Sequence, residues 1–264
     1  MTGGELLVIG ILGLMVGSFL NVCIGRLPAG ESVVTPASHC PKCKTPLAWR
    51  DNIPVLSWIW LGGKCRTCGV PISPRYVLIE LATAVVFVVQ GLMLDASPLQ
   101  DWSAMVQLAS RLVFSSLLVA LLATDIETFR LPNPLTYFGI VAGILFSLAG
   151  PPGLASSLIG AATGAGVLLV VRQAWLMAKG VDALGLGDVK MLAMIGAFLG
   201  WPHVWVVLLF SSVVGAVVGV GLALAGRGTM QSKLPFGVFL SLAALASSLW
   251  GQRFIDWYLG TLSI

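Results

Sequence analysis

Apolar residues dominate the chain in eight stretches, at roughly 4–25, 76–94, 104–124, 134–149, 154–175, 189–200, 203–226 and 235–250; most reach the ~20 residues that cross a bilayer as a helix. Polar positions inside them are scarce, so no single wet face is marked out, and the stretches predict membrane-spanning helices. The sixth, 189–200, is short for a hydrocarbon core about 30 Å thick. If it were half of a hairpin, the two sides would exchange after residue 200. Between the first and second stretches the pattern breaks. Residues 26–75 form a polar, proline-bearing loop, which divides the chain into a first span (1–25), the loop (26–75) and a helical bundle (76–264).

Composition agrees with that pattern. The chain of 264 residues is 57% apolar and 10% charged, with a mean hydropathy of +0.96. A soluble domain needs more charge to cover its surface, so the expected class is an all-α polytopic membrane protein whose first partner is the bilayer. Met1 to Glu5 holds no Lys or Arg, so the first apolar stretch reads as a retained span rather than a cleaved signal.

Charge placement then tests the layout. With the N-terminus outside, the inner segments hold Arg26, Lys42, Lys44, Arg50, Lys64, Arg66 and Arg75 in the first loop, and Arg130 in the second. Arg172, Lys179 and Lys190 lie around the third, and Arg227 and Lys233 in the fourth. That is 13 of the 15 basic residues, as the positive-inside rule requires. The outer loops carry Asp95 and Asp101, and only Arg253 falls outside. Arg111 lies within a span near its outer end, where a long side chain snorkels. The net charge of +4 is thus set by topology and implies no nucleic-acid partner.

The loop carries four of the five cysteines, as Cys40-Pro41-Lys42-Cys43 and Cys65-Arg66-Thr67-Cys68, with 21 residues between the pairs. Each C-x2-C turn presents two thiolates on one side of a knuckle, and two such turns complete a tetrahedron for structural zinc. Two disulfides are the rival pairing, but the loop is predicted cytoplasmic, where thiols stay reduced. His39 adjoins Cys40 and is not needed as a fifth ligand. Cys23 reads as a small buried hydrophobe, and His203 has no partner visible in sequence.

Carboxylates near hydrocarbon cost about 2.5–3.5 kcal/mol each on insertion scales, which makes them functional candidates. Asp125 closes the third span on the inner side, before Leu131-Pro132-Asn133-Pro134, where Asn at the N-cap and Pro at N1 predict a helix start. Asp188 follows Gly185-Leu186-Gly187 at the inner entrance to the sixth stretch. Topology brings both to one side of the membrane at similar depth, and a pair sharing one proton can activate water. Position alone also allows a helix cap for Asp188 and a surface pairing of Asp125 with Arg130. Glu127 and Asp182 compete on the same side. Gly160 to Gly166 and Gly215 to Gly221 serve close helix packing; no phosphate-binding signature follows them.

The chain resembles the type 4 prepilin peptidases over nearly its whole length. Gly17-Ser18-Phe19-Leu20-Asn21-Val22 with Arg26-Leu27-Pro28 is similar to that family's first-span signature. Ser57-Trp58, Gly63-Lys64-Cys65-Arg66-Thr67-Cys68, Ile72-Ser73-Pro74-Arg75-Tyr76 and Glu80 resemble its cysteine loop running into the second span. Asp125 with Leu131-Pro132-Asn133, Gly185-Leu186-Gly187-Asp188-Val189-Lys190, and Leu234-Pro235-Phe236-Gly237 resemble its two aspartate motifs and last-span signature.

The resemblance implies an aspartic endopeptidase of the bacterial inner membrane, multi-pass, with its active site at the cytoplasmic face. Asp125 and Asp188 would be catalytic. Its substrates would be type IV prepilins or type II secretion pseudopilins, cut after a glycine that ends a short basic leader. Many members then methylate the new N-terminal amine with S-adenosylmethionine. Asn21, Arg26, Arg75 and Glu80 are the polar groups available to that donor; interface anchoring and loop packing is the equal alternative for them. The rival classes are a transporter, which needs midplane carboxylates and inverted repeats, and a non-catalytic scaffold with a zinc loop. A closer rival is a peptidase cutting other transmembrane substrates, as presenilin-type enzymes with the same Gly-x-Gly-Asp motif do.

Overall fold

A computed structural model describes residues 1–94, 96–180, 184–225 and 234–262, without the side chain of Leu262. Asp95, Asp182, Arg227 and Lys233 lie outside the described residues. Among the described residues there is no strand, in keeping with the expected all-α class, and the only sheet-like pairings among them are two single bridges, His39 with Pro46 and Lys64 with Pro71. The chain divides into two compact units, Met1–Leu108 and Ala109–Ile264.

The first unit is built on a helical hairpin. Helix α1 (Gly3–Arg26) starts on a capping box in which Thr2 and Glu5 satisfy each other's backbone N–H. After the loop, which contains the short α2 (Leu56–Trp60), α3 (Arg75–Leu92) returns antiparallel to α1. Glycines set their separation: a Cβ on Gly13 would lie 2.6 Å from Ala84 Cα, and one on Gly17 would lie 2.7 Å from Glu80 Cα. Small residues let the two backbones touch where lipid supplies no hydrophobic drive for association. Asn21 fastens the same seam, its Nδ2 donating to Gly17 O at 3.2 Å and Tyr76 O at 3.0 Å.

The second unit holds most of α4 (Trp102–Thr128), then α5 (Asn133–Phe146), α6 (Leu154–Lys179), α7 (Leu186–Leu199), α8 (Trp201–Leu224) and α9 (Phe236–Leu262). Helix α7 runs through its middle, packed by α5, α6, α8 and α9. Met191, Leu192, Met194, Ile195 and Ala197 have no solvent exposure. Helices α6 and α7 meet backbone to backbone at Gly160 and Gly196, where either Cβ would collide with the other's carbonyl. Ser157 Oγ donates across the same seam to Ala197 O at 2.7 Å.

Helices α1, α3, α4, α6, α8 and α9 are long and apolar enough to cross a membrane, so this is a multi-pass membrane protein. Helices α5 and α7 occupy the fourth and sixth predicted spans but have 14 residues each, about 21 Å of rise, short of the bilayer core. For α7 the reason is its surroundings. A helix sheathed by other helices meets protein instead of lipid, so bilayer thickness does not set its length.

Candidate active site and cysteine cluster

Asp125 sits one turn from the end of α4, not beyond it. Thr124 and Thr128 turn their hydroxyls onto helix carbonyls, Thr124 Oγ1 donating to Ala120 O at 3.0 Å and Thr128 Oγ1 to Thr124 O at 2.8 Å. Asp125 is only 5% exposed, and its Oδ2 accepts the Val238 backbone N–H at 3.1 Å. Val238 lies in the first turn of α9, where N–H groups have no partner within the helix. The Val238 N–H also donates to Pro235 O at 3.2 Å, so the carboxylate shares a bifurcated donor and sits at the positive end of the α9 dipole. Gly237 makes the approach possible, since a Cβ there would stand 2.8 Å from Asp125 Oδ2.

Asp188 lies in the first turn of α7 and is partly exposed. Its carboxylate draws on the Gly185 backbone N–H, and the charge of Asp125 bears on it directly. Leu131 bridges the two neighbourhoods: a Cβ on Gly187 would lie 3.0 Å from Leu131 Cβ, and one on Gly237 would lie 3.1 Å from Leu131 Cδ2. The two aspartates therefore share one site, with Asp125 buried against a helix end and Asp188 nearer solvent. Glu127, their rival on α4, is exposed.

Asn133 has a different task from the one predicted. Helix α5 begins at Asn133 with Pro132 before it and no side-chain cap. The Asn133 Oδ1 instead accepts from Lys190 Nζ, and the Lys190 ammonium also stands 5.3 Å from the Tyr137 ring centroid. Lys190 thereby ties the start of α7 to the start of α5, beside the aspartates. The Val238 donor was not singled out from sequence; the glycine before it was the one available signal. His203, without a partner visible in sequence, stands beside Gly251 of α9, where a Cβ would lie 2.8 Å from His203 Cδ2.

The cysteine loop folds as two copies of one turn. Cys40 N donates to Thr45 O at 3.0 Å and Lys44 N to Cys40 O at 2.9 Å; Cys65 N donates to Val70 O and Gly69 N to Cys65 O, both at 2.9 Å. Lys44 and Gly69 occupy matching places, with φ of 57° and 67°. The four sulfurs lie within 4.8 Å of one another, with Cys40 to Cys68 at 3.8 Å and Cys43 to Cys65 at 3.9 Å. Zn–S bonds of about 2.3 Å at tetrahedral angles require S–S edges near ~3.8 Å, so the cluster fits zinc. Thr45 stands beside Cys43, its hydroxyl and backbone N–H holding that thiol down at about 6, which favours the metal-binding thiolate. At Cys68 the Val70 N–H pulls the same way, but desolvation and the other sulfurs hold the thiol up at about 11. A divalent cation among the four would remove that crowding. His39 Nδ1 bonds Ala37 O at 2.9 Å, away from the sulfurs. Arg66 donates to both oxygens of Asp51, at 3.1 and 3.0 Å, and so ties the second knuckle to the segment between the two.

The residues considered for a methyl donor each make a contact within the first unit. Asn21 fastens α1 to α3, Arg26 Nη1 donates to Ser32 O at 3.1 Å, and Arg75 lies over the Tyr76 ring. Glu80 is 6% exposed, and its Oε2 accepts the Val55 N–H at 2.8 Å. Such contacts suit anchoring and loop packing, while Asn21 Oδ1 is buried with no hydrogen-bond partner among the described residues.

Comparison with known proteins matches both units. The model of the bacterial peptidase A24 N-terminal domain matches residues 11–94, and that of the type IV leader peptidase family matches residues 112–220. A prepilin leader peptidase/N-methyltransferase of Aeromonas salmonicida (strain A449) is 37% identical over 278 residues, covering 96% of this chain and 93% of that one. Proteins of the same name from Myxococcus xanthus (strain DK1622) and Klebsiella pneumoniae are 44% and 43% identical, covering 81% and 76% of this chain and 62% and 87% of theirs. No solved structure matches the chain. With an aspartate pair on adjoining helix ends, a loop gathering four cysteines and relatives matching most of its length, the chain belongs to the type IV leader peptidase family.

Proposed function

We propose that this enzyme is an aspartic endopeptidase of the bacterial inner membrane that removes the leader from type IV prepilins or type II secretion pseudopilins, cutting after a glycine at the cytoplasmic face. The observation that carries this reading is the carboxylate pair, with the Asp125 charge bearing on Asp188 and Asp125 Oδ2 bonded to Val238 N–H. Two carboxylates that repel each other share one proton, and the pair titrates as a unit. The ionised member takes a proton from water as that water attacks the scissile carbonyl carbon. The protonated member donates a hydrogen bond to the oxyanion that forms, and a proton is delivered to the leaving amine nitrogen as the C–N bond breaks. The partial exposure of Asp188 gives a water and a substrate backbone a way in. The concentration of basic residues on one side supports the cytoplasmic assignment.

Zinc would be held by Cys40, Cys43, Cys65 and Cys68, where it fixes the loop and takes no part in hydrolysis. The relatives' name supports a second activity, methylation of the new N-terminal amine by S-adenosylmethionine. The donor supplies a methyl group. Asn21, Arg26, Arg75 and Glu80 are the candidates to hold that donor: each has a contact within the first unit, and Asn21 Oδ1 is buried with no hydrogen-bond partner among the described residues. Mass spectrometry of a prepilin incubated with the purified protein and S-adenosylmethionine tests both activities. Leader loss after glycine is expected, with one added methyl on the product. An intact prepilin in the presence of folded, zinc-loaded protein overturns the peptidase reading.

A further inference from the structure

Helix α2 has two faces, and among the described residues of the first unit only one is packed. On the inner face, Trp58 Nε1 donates to Ile72 O at 3.1 Å, and its ring packs so closely on Gly63 that a Cβ there would lie 2.8 Å from Trp58 Cζ2. Leu56, Ile59 and Trp60, spaced to share a helix face, are 58%, 63% and 79% exposed, and Trp49 just upstream is 82% exposed. An apolar surface of this kind in a short loop calls for a covering partner.

The loop's attachment says what covers it. Helix α3 has 18 residues, about 27 Å of rise, so nearly its whole length is needed to cross the hydrocarbon core. Glu80 lies five positions after Arg75, about 7–8 Å along that helix. Its buried carboxylate holds the Val55 N–H, the residue just before α2, with Val55 at a strained φ of 60°. Helix α2 is therefore drawn down to the level of the second turn of a membrane-spanning helix instead of standing off in water. Lys42, Lys44, Arg50 and Lys64 are exposed on the same loop and complement anionic headgroups. Tryptophan with apolar neighbours and nearby basic residues is the chemistry of the membrane interface.

We propose that the α2 segment is an interfacial anchor: Leu56, Ile59 and Trp60, with Trp49, insert into the anionic bilayer surface and hold the cysteine loop against the membrane. The test uses the full zinc-loaded chain in bilayer discs of phosphatidylethanolamine and phosphatidylglycerol. A phospholipid carrying a diazirine on its upper acyl chain is photolysed, and the adducts are mapped by mass spectrometry. Residues 56–60 should be labelled at about the level of the ends of α1 and α3, and about threefold more than residues 36–44. Labelling of 56–60 no higher than of 36–44 overturns the proposal. So does a map in which 56–60 stay unlabelled in lipid and become protected from aqueous hydroxyl radicals only when an apolar pilin helix is added; that face would then bind peptide. Replacing Leu56, Ile59 and Trp60 together with Ser should lower labelling across 49–60 while zinc content is retained. If zinc is lost, the wild-type map alone decides.

Discussion

The cysteine cluster and the aspartate pair both bring distant side chains to one point, yet they are put together in opposite ways. The cysteines come from two local turns, each closed by its own backbone hydrogen bonds between Cys40 and Thr45 or between Cys65 and Val70. The aspartate site draws on three distant places: the last turn of α4, the first turn of α7, and the Val238 N–H at the start of α9. A local turn repeats wherever its sequence repeats. A site made from helix ends exists only if the bundle packs to register, and that register rests on glycines such as Gly160, Gly196 and Gly237. The first assembly should tolerate small changes gradually, whereas the second should fail abruptly.

The largest effect is expected at the carboxylates. Asp125→Asn and Asp188→Asn each preserve shape but remove an ionisable group, and each should cost about 10²–10⁴-fold or more in cleavage rate. Glu127→Gln and Asp182→Asn should retain most activity. Prepilin cleavage by membranes with matched expression measures this, and near wild-type cleavage by either Asp→Asn enzyme removes the pair from the mechanism. On a pre-cleaved pilin with a free amine, the double Asp→Asn variant should still methylate if wild type does. Loss of methylation with the fold intact would join the two activities in one site.

A sharper test of the contrast is Gly237→Ala. The added methyl would press on Asp125 Oδ2 and on Leu131 together. Misplacing a catalytic group by about 1 Å can cost ~10²-fold, so a loss of that order is expected in kcat with little change in KM. Gly166→Ala, where nothing lies within 4 Å of the new Cβ, is the control. If both variants cleave normally, the α9 N-terminus is not part of the site.

The sequence displayed these two assemblies unequally. Spacing alone marked the cysteine knuckles, because C-x2-C is a backbone turn and both ligands lie inside it. Hydropathy located the helices well, since burial in lipid leaves a long uniform record, but it misjudged ends where polarity and helicity part company. Helix α9 continues through Gly251–Leu262, where Gln252 bonds Asp256 one turn on. Helix α4 continues through Asp125. The Val238 donor and the capture of Val55 by Glu80 left no such trace. Both are backbone N–H groups, which every residue but proline has, so only the fold selects them. Asn133 misled for a related reason: its type favours a helix cap, but Lys190 on another helix claims its side chain.

Single Cys→Ser changes at Cys40, Cys43, Cys65 or Cys68 should reduce zinc content and open the loop to protease together, because metal binding and loop folding are one equilibrium. Elemental analysis beside limited proteolysis measures both. Peptidase activity should fall less than in the Asp→Asn variants. A wild-type chain that is fully folded and free of zinc would refute the zinc assignment.

The smallest expected effect tests whether the two knuckles are equivalent. Lys44 and Gly69 occupy the same position after their cysteines, both at positive φ, yet only one is glycine. A side chain in that region costs about 1 kcal/mol, so the first knuckle carries strain that the second avoids. Lys44 is exposed and its backbone N–H, which donates to Cys40 O, survives replacement. Lys44→Gly should therefore strengthen zinc retention, by about fivefold if the whole strain is relieved on folding. Gly69→Ala should weaken it by a similar factor. Its added Cβ meets nothing within 4 Å, so backbone strain is the only cost it introduces. Competition with a calibrated chelator reads both changes on the intact protein. Opposite shifts of similar size would establish one turn used twice. If Lys44→Gly instead loosens zinc, the Lys44 ammonium helps hold the thiolates, and charge rather than backbone shape distinguishes the first knuckle from the second.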